Sequence, residues 1–279
     1  SPLRRWTTGE YAILALCFTF TLAELAGLGG TMKWAAVGFY FLAVLHIHFR
    51  GKVRLPLGRQ LFDHSSFMAP INFFMHLLSR VPSTPYIPVR EFAELAPLQA
   101  NWQVIRAEAE HLLALNKIKA AEQNDDAVGF NSFFKTGWKR FYLKWYEASH
   151  PSAARLCPRT HAMLMAIPSV KAAMFAELPP GAKLNPHRDP FAGSMRYHLG
   201  LATPNDDRCF IEVDGERYSW RDGQAVIFDE TYIHWAVNGS ESDRIILFCD
   251  VERPMRFRWM AAINRWLGRT MMTAASSPN

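Results

Sequence analysis

The sequence of 279 residues predicts a mainly β domain with flanking helices, preceded by an α-helical hairpin with the length and composition of a transmembrane hairpin. Three observations support this prediction. Short apolar runs follow one another between residues 133 and 254 and are separated by polar turns. Two longer apolar runs occupy the first 60 residues. The positive charge lies at the two ends of the chain rather than in its middle.

The pattern divides the chain into four parts. Residues 1–60 form the hairpin with its basic flanks, and residues 61–132 form an interfacial segment, a linker and a helix. Residues 133–254 form the β domain, which carries the candidate chemistry. Residues 255–279 form a basic amphipathic helix and a tail.

The distribution of charge argues against a nucleic-acid partner. The net charge of +6 is the sum of +5 in residues 1–60, −4 in residues 61–252 and +5 in residues 253–279. An acidic body is a poor match for a groove that follows phosphates, and no nucleic-acid-binding motif is present. The four cysteines form no CxxC pair, so we expect neither a zinc ribbon nor a disulfide scaffold.

The first part has the features of a membrane hairpin. Tyr11 to Leu28 is interrupted only by Glu24, and Trp34 to Phe49 is a second apolar run after the turn-prone residues 29–33. Each run is close to the length that crosses a bilayer. The positive-inside rule places both ends in the cytoplasm, because the basic residues flank the hairpin. The alternative is a soluble hairpin packed on the body of the protein.

The second part combines aromatic, proline-rich and helical segments. Residues 61–80 are rich in aromatic side chains, so we expect either an interfacial, substrate-facing segment or a helix packed on the main domain. Residues 82–90 hold three prolines and indicate a linker or an extended arm. Pro97 to Gln123 has apolar residues at helical spacing, and the polar residues 124–126 are expected to end this helix.

The third part predicts an antiparallel sheet structure. A helix is expected at residues 159–168, and Asp214-Gly215 is a hairpin-turn signal. Several strands without helices between them favour an antiparallel sandwich or barrel. The predicted strands are 138–145, 171–177, 195–201, 208–213, 217–220, 224–228, 232–237 and 244–250.

A candidate metal site lies within this region. His187 and Asp189 are two residues apart, so both side chains point to one face of an extended segment, and His234 supplies a third ligand from a distant strand. Two histidines and one carboxylate are the ligand set of non-haem Fe(II) oxygenases, which leave three positions open for a co-substrate and oxygen.

Three further residues indicate an anion near this metal. Arg244 opens a strongly apolar strand, where burial of its charge is costly unless an anion accompanies it. The far carboxylate of 2-oxoglutarate is a suitable bidentate partner, and the alternative is a structural ion pair. Arg196 and His198 share one strand face with Gly200 and could serve the same anion, or they could face solvent.

Residues 133–254 resemble the aspartyl/asparaginyl β-hydroxylase family of Fe(II)/2-oxoglutarate oxygenases. The resemblance implies a double-stranded β-helix, or jelly roll. It also implies that His187 and His234 bind iron, with Asp189 completing the triad. Arg244 is implied to bind 2-oxoglutarate with help from Arg196 and His198. The motifs that carry the resemblance are Pro186-His187-Arg188-Asp189, Met195 to Leu201, Trp220 to Gly223, Ile227-Phe228-Asp229, His234 and Arg244-Ile245-Ile246.

Nearly the whole chain is similar to the membrane-bound lipid A 2-hydroxylases of Gram-negative bacteria. The hairpin, Asp63 to Ser66 with Ala69-Pro70, and Glu94 to Leu98 leading to Asn101-Trp102 carry this similarity. It implies hydroxylation at C2 of a secondary acyl chain of lipid A at the cytoplasmic face of the inner membrane. Hydroxylation of an aspartyl or asparaginyl side chain in a protein is the second hypothesis, and a non-catalytic membrane-anchored metal-binding protein is the third.

Aromatic residues are expected near the iron and in the fourth part of the chain. The candidates for an apolar slot beside the metal are Trp138, Trp145, Phe191 and Trp235, with the sandwich core as their alternative place. Residues 255–272 combine tryptophan and arginine without an acidic residue, which is typical of a helix in a membrane interface. The alternative is a helix packed on the sandwich with its arginines in water.

Overall fold

The computed structural model describes residues 30–114, 119–120, 139–146 and 150–273. Within them, eleven strands form two antiparallel sheets. In chain order the strands are β1 (Tyr86–Ile87), β2 (Lys119–Ala120), β3 (Lys139–Trp145), β4 (Val170–Leu178), β5 (Lys183–His187), β6 (Ser194–Ala202), β7 (Cys209–Val213), β8 (Glu216–Ser219), β9 (Ala225–Phe228), β10 (His234–Asn238) and β11 (Arg244–Glu252).

The large sheet has seven strands in the order β1-β9-β6-β11-β4-β3-β2, and the small sheet has four in the order β5-β10-β7-β8. The two sheets enclose an apolar core that includes Ile246 and Phe248 of β11. Alternate residues of the same strand, such as Leu247, face a layer of helices on the outer side of the large sheet. The fold is therefore a mainly β sandwich of the jelly-roll kind with flanking helices, as the sequence predicted.

Nine α-helices surround this sandwich in the described residues. In chain order they are α1 (Gly30–Arg50), α2 (Leu57–Leu61), α3 (His64–Phe67), α4 (Ala69–Leu77), α5 (Ala96–Ala100), α6 (Trp102–Ala114), α7 (Pro151–Leu156), α8 (Pro158–Met165) and α9 (Arg258–Thr273). A 3₁₀ helix, Val89–Leu95, precedes α5.

Helix α1 is the described part of the predicted hairpin. Its segment Met32–Arg50 is long and apolar enough to cross a membrane, and it is the only such helix among the described residues. The first apolar run of the hairpin, Tyr11 to Leu28, lies outside them. The C-terminal half of α1 packs on α4 through residues such as Tyr40 and Val44, while Leu42 and Phe49 on other sides are exposed.

Most of the strand prediction is confirmed, including the hairpin between β7 and β8. Asp214 and Gly215 both have positive φ, 53° and 84°, as a two-residue turn with this sequence requires. Strand β5 was missed because it contains Asn185 and Pro186 and lacks an apolar pattern. Helix α7 was missed as well.

The prediction of one helix from Pro97 to Gln123 is wrong. The helix is interrupted at Asn101, whose side chain donates to the carbonyl of Pro97 at 2.8 Å, and α6 ends at Ala114. Lys119 and Ala120 pair instead with β3, because the edge of the large sheet offers backbone hydrogen bonds that helical propensity does not anticipate. The predicted end of the helix at 124–126 lies outside the described residues.

Candidate metal centre

The fold brings His187, Asp189 and His234 together at one end of the small sheet. His187 is the last residue of β5 and is paired directly with His234, the first residue of β10. The backbone N–H of Asp189 donates to the carbonyl of Glu230 at 2.9 Å, which holds Asp189 beside the β9–β10 loop. One potential ligand atom from each of the three residues lies within 4.8 Å of the other two.

Backbone carbonyls fix the tautomers of both histidines. Nδ1 of His187 lies 2.8 Å from the carbonyl of Asn185, and Nδ1 of His234 lies 3.0 Å from that of Tyr232. A carbonyl oxygen only accepts, so each Nδ1 carries a proton, and Nε2 is the nitrogen of each ring that is left to face a metal. Burial, followed by the neighbouring His187, lowers the pKa of His234 to about 4, so the imidazole is neutral at physiological pH.

These observations fit a divalent metal. Two neutral imidazole nitrogens and one carboxylate form the donor set of the non-haem iron triad. Orientation of a metal-binding histidine by a carbonyl at its other ring nitrogen is the usual outer-shell arrangement. His187 and Asp189 are half-buried whereas His234 is buried, so the site is open on the side of the first two residues.

Arg196 binds the carboxylates beside this site. Its guanidinium lies 2.7 Å from Asp189, 2.5 Å from Glu230 and in contact with Asp250. Burial alone would raise the pKa of Asp189, but Arg196, aided by His187 and His234, outweighs burial and lowers that pKa. Burial raises the pKa of Glu230, and the nearby Asp189 charge adds to that effect. Arg196 therefore keeps Asp189 ionised, the state in which a carboxylate can bind a metal.

A small cavity extends from His234 to Arg244 between the sheets. Both residues line this cavity. Its lining includes Arg196 and His198. The sequence predicted that these residues share one face of a strand and left open whether that face meets solvent; in the structure it is the inner face of β6. The remaining lining residues are Leu184, Ile211, Trp220, Phe228, Ala236 and Phe248.

Two lining residues of this cavity, Arg244 and His198, differ in charge: the first is cationic and the second is neutral. Arg244 is fully buried, with its guanidinium carbon 4.4 Å from the centre of the Trp220 ring. Burial lowers the pKa of Arg244 to about 10, which leaves it charged at neutral pH. Burial, and next the Arg244 charge, lower the pKa of His198, so its imidazole is neutral. The cavity thus suits a small anion whose other end reaches the metal.

The aromatic residues that were expected to line a slot beside the metal, as far as the structure describes them, do not line this cavity. Trp145 belongs to the core between the sheets. Trp235 donates to Glu212 at 2.9 Å and packs on Phe210, outside the lining of this cavity. Phe191 lines a groove between α9 and the large sheet. Trp138 lies outside the described residues, and the aromatic residue that contacts Arg244, Trp220, was not among the candidates.

The segment that follows Asp189 is held by side chains that the sequence pattern did not single out. This segment, residues 188–193, is called the Asp189 loop below. Asn72 of α4 donates to the carbonyl of Pro190 at 2.7 Å and accepts from the N–H of Ala192 at 2.9 Å. Asn264 of α9 donates to the carbonyl of Gly193 at 2.9 Å. Each is a lone buried asparagine on an apolar helix face, which is a signal that sequence reading could use.

Two further contacts complete the support of the Asp189 loop. The imidazole Nε2 of His64 donates to the carbonyl of Arg188 at 2.7 Å, and the Arg253 side chain donates to the carbonyl of Ala192. The Asp189 loop is therefore fixed by the segment before α4, by α4 itself, and by the segment that leads into α9.

A buried ion-pair cluster joins α1 to the loop before His234. Asp229 is fully buried, contacts Arg50 at the end of α1, and lies 2.7 Å from Arg253. Burial alone would raise the pKa of Asp229, but Arg253 and then Arg50 outweigh burial and lower that pKa. Arg50 also donates to Thr231 at 2.6 Å. The end of α1 is thus part of the protein core.

Comparison with known proteins adds a family to this geometry. The model of the family described as "Aspartyl/Asparaginyl beta-hydroxylase" matches residues 99–254, more than half of the chain. An "Ornithine lipid ester-linked acyl 2-hydroxylase" from Rhizobium tropici is 31% identical over 179 residues, which are 64% of this chain and 64% of that protein.

Two other comparisons extend to a vertebrate protein and to a solved structure. "Aspartate beta-hydroxylase domain-containing protein 2" from Homo sapiens is 31% identical over 71% of this chain and 54% of its own length. The chain thus matches less than two thirds of the length of either relative. The crystal structure of a Pseudomonas putida prolyl-4-hydroxylase is 17% identical, covers 56% of this chain and 87% of that one, and gives a TM-score of 0.37.

Proposed function

The chain belongs to the aspartyl/asparaginyl β-hydroxylase family, and from that premise we propose that it is an Fe(II)- and 2-oxoglutarate-dependent dioxygenase that hydroxylates C2 of an acyl chain in a membrane lipid. The proposed substrate is lipid A, modified on a secondary acyl chain at the cytoplasmic face of the bacterial inner membrane. The observation that carries the lipid proposal is the support of the Asp189 loop by α4 and α9, two helices that expose large apolar side chains.

His187, Asp189 and His234 are the proposed iron ligands, through both Nε2 atoms and the carboxylate. Bound Fe(II), with 2-oxoglutarate and O₂, supplies an oxidant strong enough for an unactivated C–H bond; one oxygen atom enters the product, the other enters succinate, and CO₂ is released. The protein contributes the fixed tautomers of the two histidines and the ionised state of Asp189, which Arg196 stabilises.

The cavity between His234 and Arg244 is the proposed 2-oxoglutarate site. The guanidinium of Arg244 binds the far carboxylate, since a planar fork of N–H donors matches two carboxylate oxygens. The Arg244 guanidinium lies over the Trp220 ring, and neutral His198 is placed to donate one hydrogen bond in the same cavity. The cavity is small and is lined by the buried Arg244 guanidinium, which suits a small dicarboxylate better than an acyl chain.

The lipid substrate is supported by three separate features. The relative from Rhizobium tropici is named for 2-hydroxylation of an ester-linked acyl chain in ornithine lipid. Helix α1 is long and apolar enough to cross a membrane, and its end is joined to the core through Arg50 and Asp229. The basic residues that follow α1, Lys52, Arg54 and Arg59, favour a cytoplasmic position for the domain.

A protein or peptide substrate is the second candidate, because the family takes its name from aspartyl and asparaginyl side chains. One experiment separates the two. The full chain is reconstituted in vesicles with Fe(II), 2-oxoglutarate and ¹⁸O₂, and is offered lipid A, ornithine lipid or an aspartate- and asparagine-containing peptide. Mass spectrometry then measures which substrate gains one ¹⁸O atom, and succinate is quantified in parallel.

We expect ¹⁸O in the acyl chain of lipid A, matched by succinate, and loss of both signals in His187→Ala. His111→Ala, a change of an exposed histidine on α6, is the matched control and keeps full activity. Incorporation into the peptide with unmodified lipids would overturn the lipid proposal. Incorporation into ornithine lipid, with lipid A unmodified, would change the proposed lipid substrate but leave the proposed reaction as it stands. Full activity of His187→Ala would overturn the iron assignment.

A further inference from the structure

Helix α9 has an apolar outer face as well as an apolar inner face. The inner face carries Met260 and Asn264, which are buried against α4 and the Asp189 loop. On the outer face, Trp259, Ile263 and Trp266 are 57%, 42% and 63% exposed in the described structure. Positions 259, 263 and 266 share one side of a helix, so these side chains form one apolar strip.

The strip is bordered by positive charge. Arg258, Arg265 and Arg269 are spaced by seven and four residues, which places them in one row along α9, next to the strip. All three are exposed, and no acidic residue occurs in residues 253–279. The Arg265 guanidinium lies 3.1 Å from Glu252 of β11 and Arg269 lines the adjacent groove, so the row is anchored next to the sandwich.

Neighbouring helices expose further apolar residues. The N–H of Arg256 donates to the carbonyl of Leu78 at 2.8 Å, which places the start of α9 beside the end of α4. Helix α4 exposes Phe74 and Leu77, and the Phe74 ring lies 5.6 Å from that of Phe39 on α1. Three neighbouring helices therefore expose apolar side chains, and one of them is the candidate membrane span.

We infer that the outer face of α9 lies in the headgroup region of an anionic bilayer, as a second membrane contact of this protein. Trp259, Ile263 and Trp266 reach the boundary of the acyl chains, and the row of Arg258, Arg265 and Arg269 contacts lipid phosphates. Tryptophan and arginine are the residues favoured at this depth, and a strip bordered by three exposed arginines complements an anionic surface. The inference rests on the membrane location in the proposed function, but on no part of its chemistry.

The test uses the full chain in vesicles and a fluorescent label. Ile263→Cys is labelled with an environment-sensitive fluorophore in a Cys17→Ser background, since Cys157, Cys209 and Cys249 are buried. The matched control is a label at Glu241→Cys, an exposed position in the loop before β11. Quenching by a nitroxide on phospholipid acyl chains is compared with quenching by aqueous iodide, in vesicles with and without phosphatidylglycerol.

We expect the label at position 263 to be quenched several-fold more by the lipid nitroxide than the label at Glu241→Cys, with the reverse order for iodide. Each arginine contributes about a fivefold shift in the docking equilibrium on anionic lipid. The triple variant Arg258→Gln/Arg265→Gln/Arg269→Gln therefore loses the difference between anionic and neutral vesicles. None of these measurements depends on turnover, so an inactive enzyme would still test the inference.

Three results would overturn it. Equal iodide quenching at the two labelled positions would show that the strip faces water. Shielding of position 263 from iodide without quenching by the lipid nitroxide would indicate cover by another part of the chain, such as residues 121–138 or 274–279. Excimer emission from a pyrene label at position 263 would indicate a second copy on this face.

Discussion

Replacement of Asn72 by alanine tests how far the metal site depends on the Asp189 loop. The variant loses the hydrogen bond to Pro190 at 2.7 Å and the one from Ala192 at 2.9 Å. Both backbone groups stay in a buried region, so the cost is the desolvation of two unpaired groups and not only two average hydrogen bonds. At about 1–3 kcal/mol for each group, the total is about 2–6 kcal/mol.

This cost divides between the whole fold and the Asp189 loop. Arg253 and Asn264 still bind Ala192 and Gly193, so the sandwich itself keeps its main contacts. We expect Asn72→Ala to weaken binding of a divalent metal by about 10-fold, the lower end of the effect of losing a partner of a metal ligand, because Asn72 holds the residues that follow Asp189 and not Asp189 itself. The predicted loss of affinity is larger than that of Asn101→Ala, which removes an exposed side-chain hydrogen bond far from the metal ligands.

The assay is calorimetric titration of the metal-free full chain with Mn(II), a stand-in for Fe(II) that is stable in air. Thermal unfolding of each variant without metal is recorded in parallel, so that loss of fold is separated from loss of the site. If Asn72→Ala is folded and binds Mn(II) within twofold of the unchanged protein, the Asp189 loop does not position the ligand, and the reasoning fails.

Three other perturbations have defined outcomes. Arg244→Lys keeps a charge but loses the bidentate fork, so we expect the KM for 2-oxoglutarate to rise about 10- to 100-fold. The control Arg217→Lys, at an exposed arginine, leaves this KM unchanged. An unchanged KM in Arg244→Lys would refute the anion site. Arg253 and Arg50 lower the pKa of Asp229 in the folded protein, so the stability that this carboxylate contributes is present above the unfolded pKa of about 3.9 and is lost as pH falls below that value. Asp229→Asn therefore lowers Tm at pH 7 and makes Tm less dependent on pH below about 4. A variant whose Tm falls as steeply in acid as that of the unchanged protein would contradict this role of Asp229. Addition of EDTA lowers Tm in the unchanged protein and not in His187→Ala, as differential scanning fluorimetry would measure, because metal binding stabilises only a chain that keeps its ligands.

The strands that position the site were predictable because alternation is a local signal. Ile246 and Phe248 on one face of β11, with Leu247 on the other, follow from the order of residues along the chain. The same alternation predicted that Arg196 and His198 share one face, and the structure shows that it is the inner face. Strand β5 carries His187, the first of the proposed metal ligands, but gives no such signal, since its pairing with β10 compensates for Asn185 and Pro186.

Other parts of the site depend on contacts between residues distant in sequence. Glu230 and Asp250 gather around Arg196, and no spacing in the chain predicts that their charges meet. The roles of Asn72 and Asn264 likewise depend on where α4 and α9 meet the Asp189 loop. The conformation of Lys119 and Ala120 also depends on a distant contact, because their pairing with β3 makes them a strand although the local sequence pattern is helical.

The ion pair between Arg50 and Asp229 has a consequence for how such an enzyme would meet its substrate. Helix α1 ends inside the protein core, and the N–H of Val53 just after it is fixed on Asp214 at 2.8 Å, so no flexible tether separates the helix from the sandwich. With α1 across a bilayer, the metal site is held at a constant height above the lipid. For the proposed lipid substrate, the fixed distance between the headgroup and the proposed metal ligands would then select which carbon of the acyl chain is hydroxylated. Each turnover would require a new lipid to diffuse laterally to the side of α1.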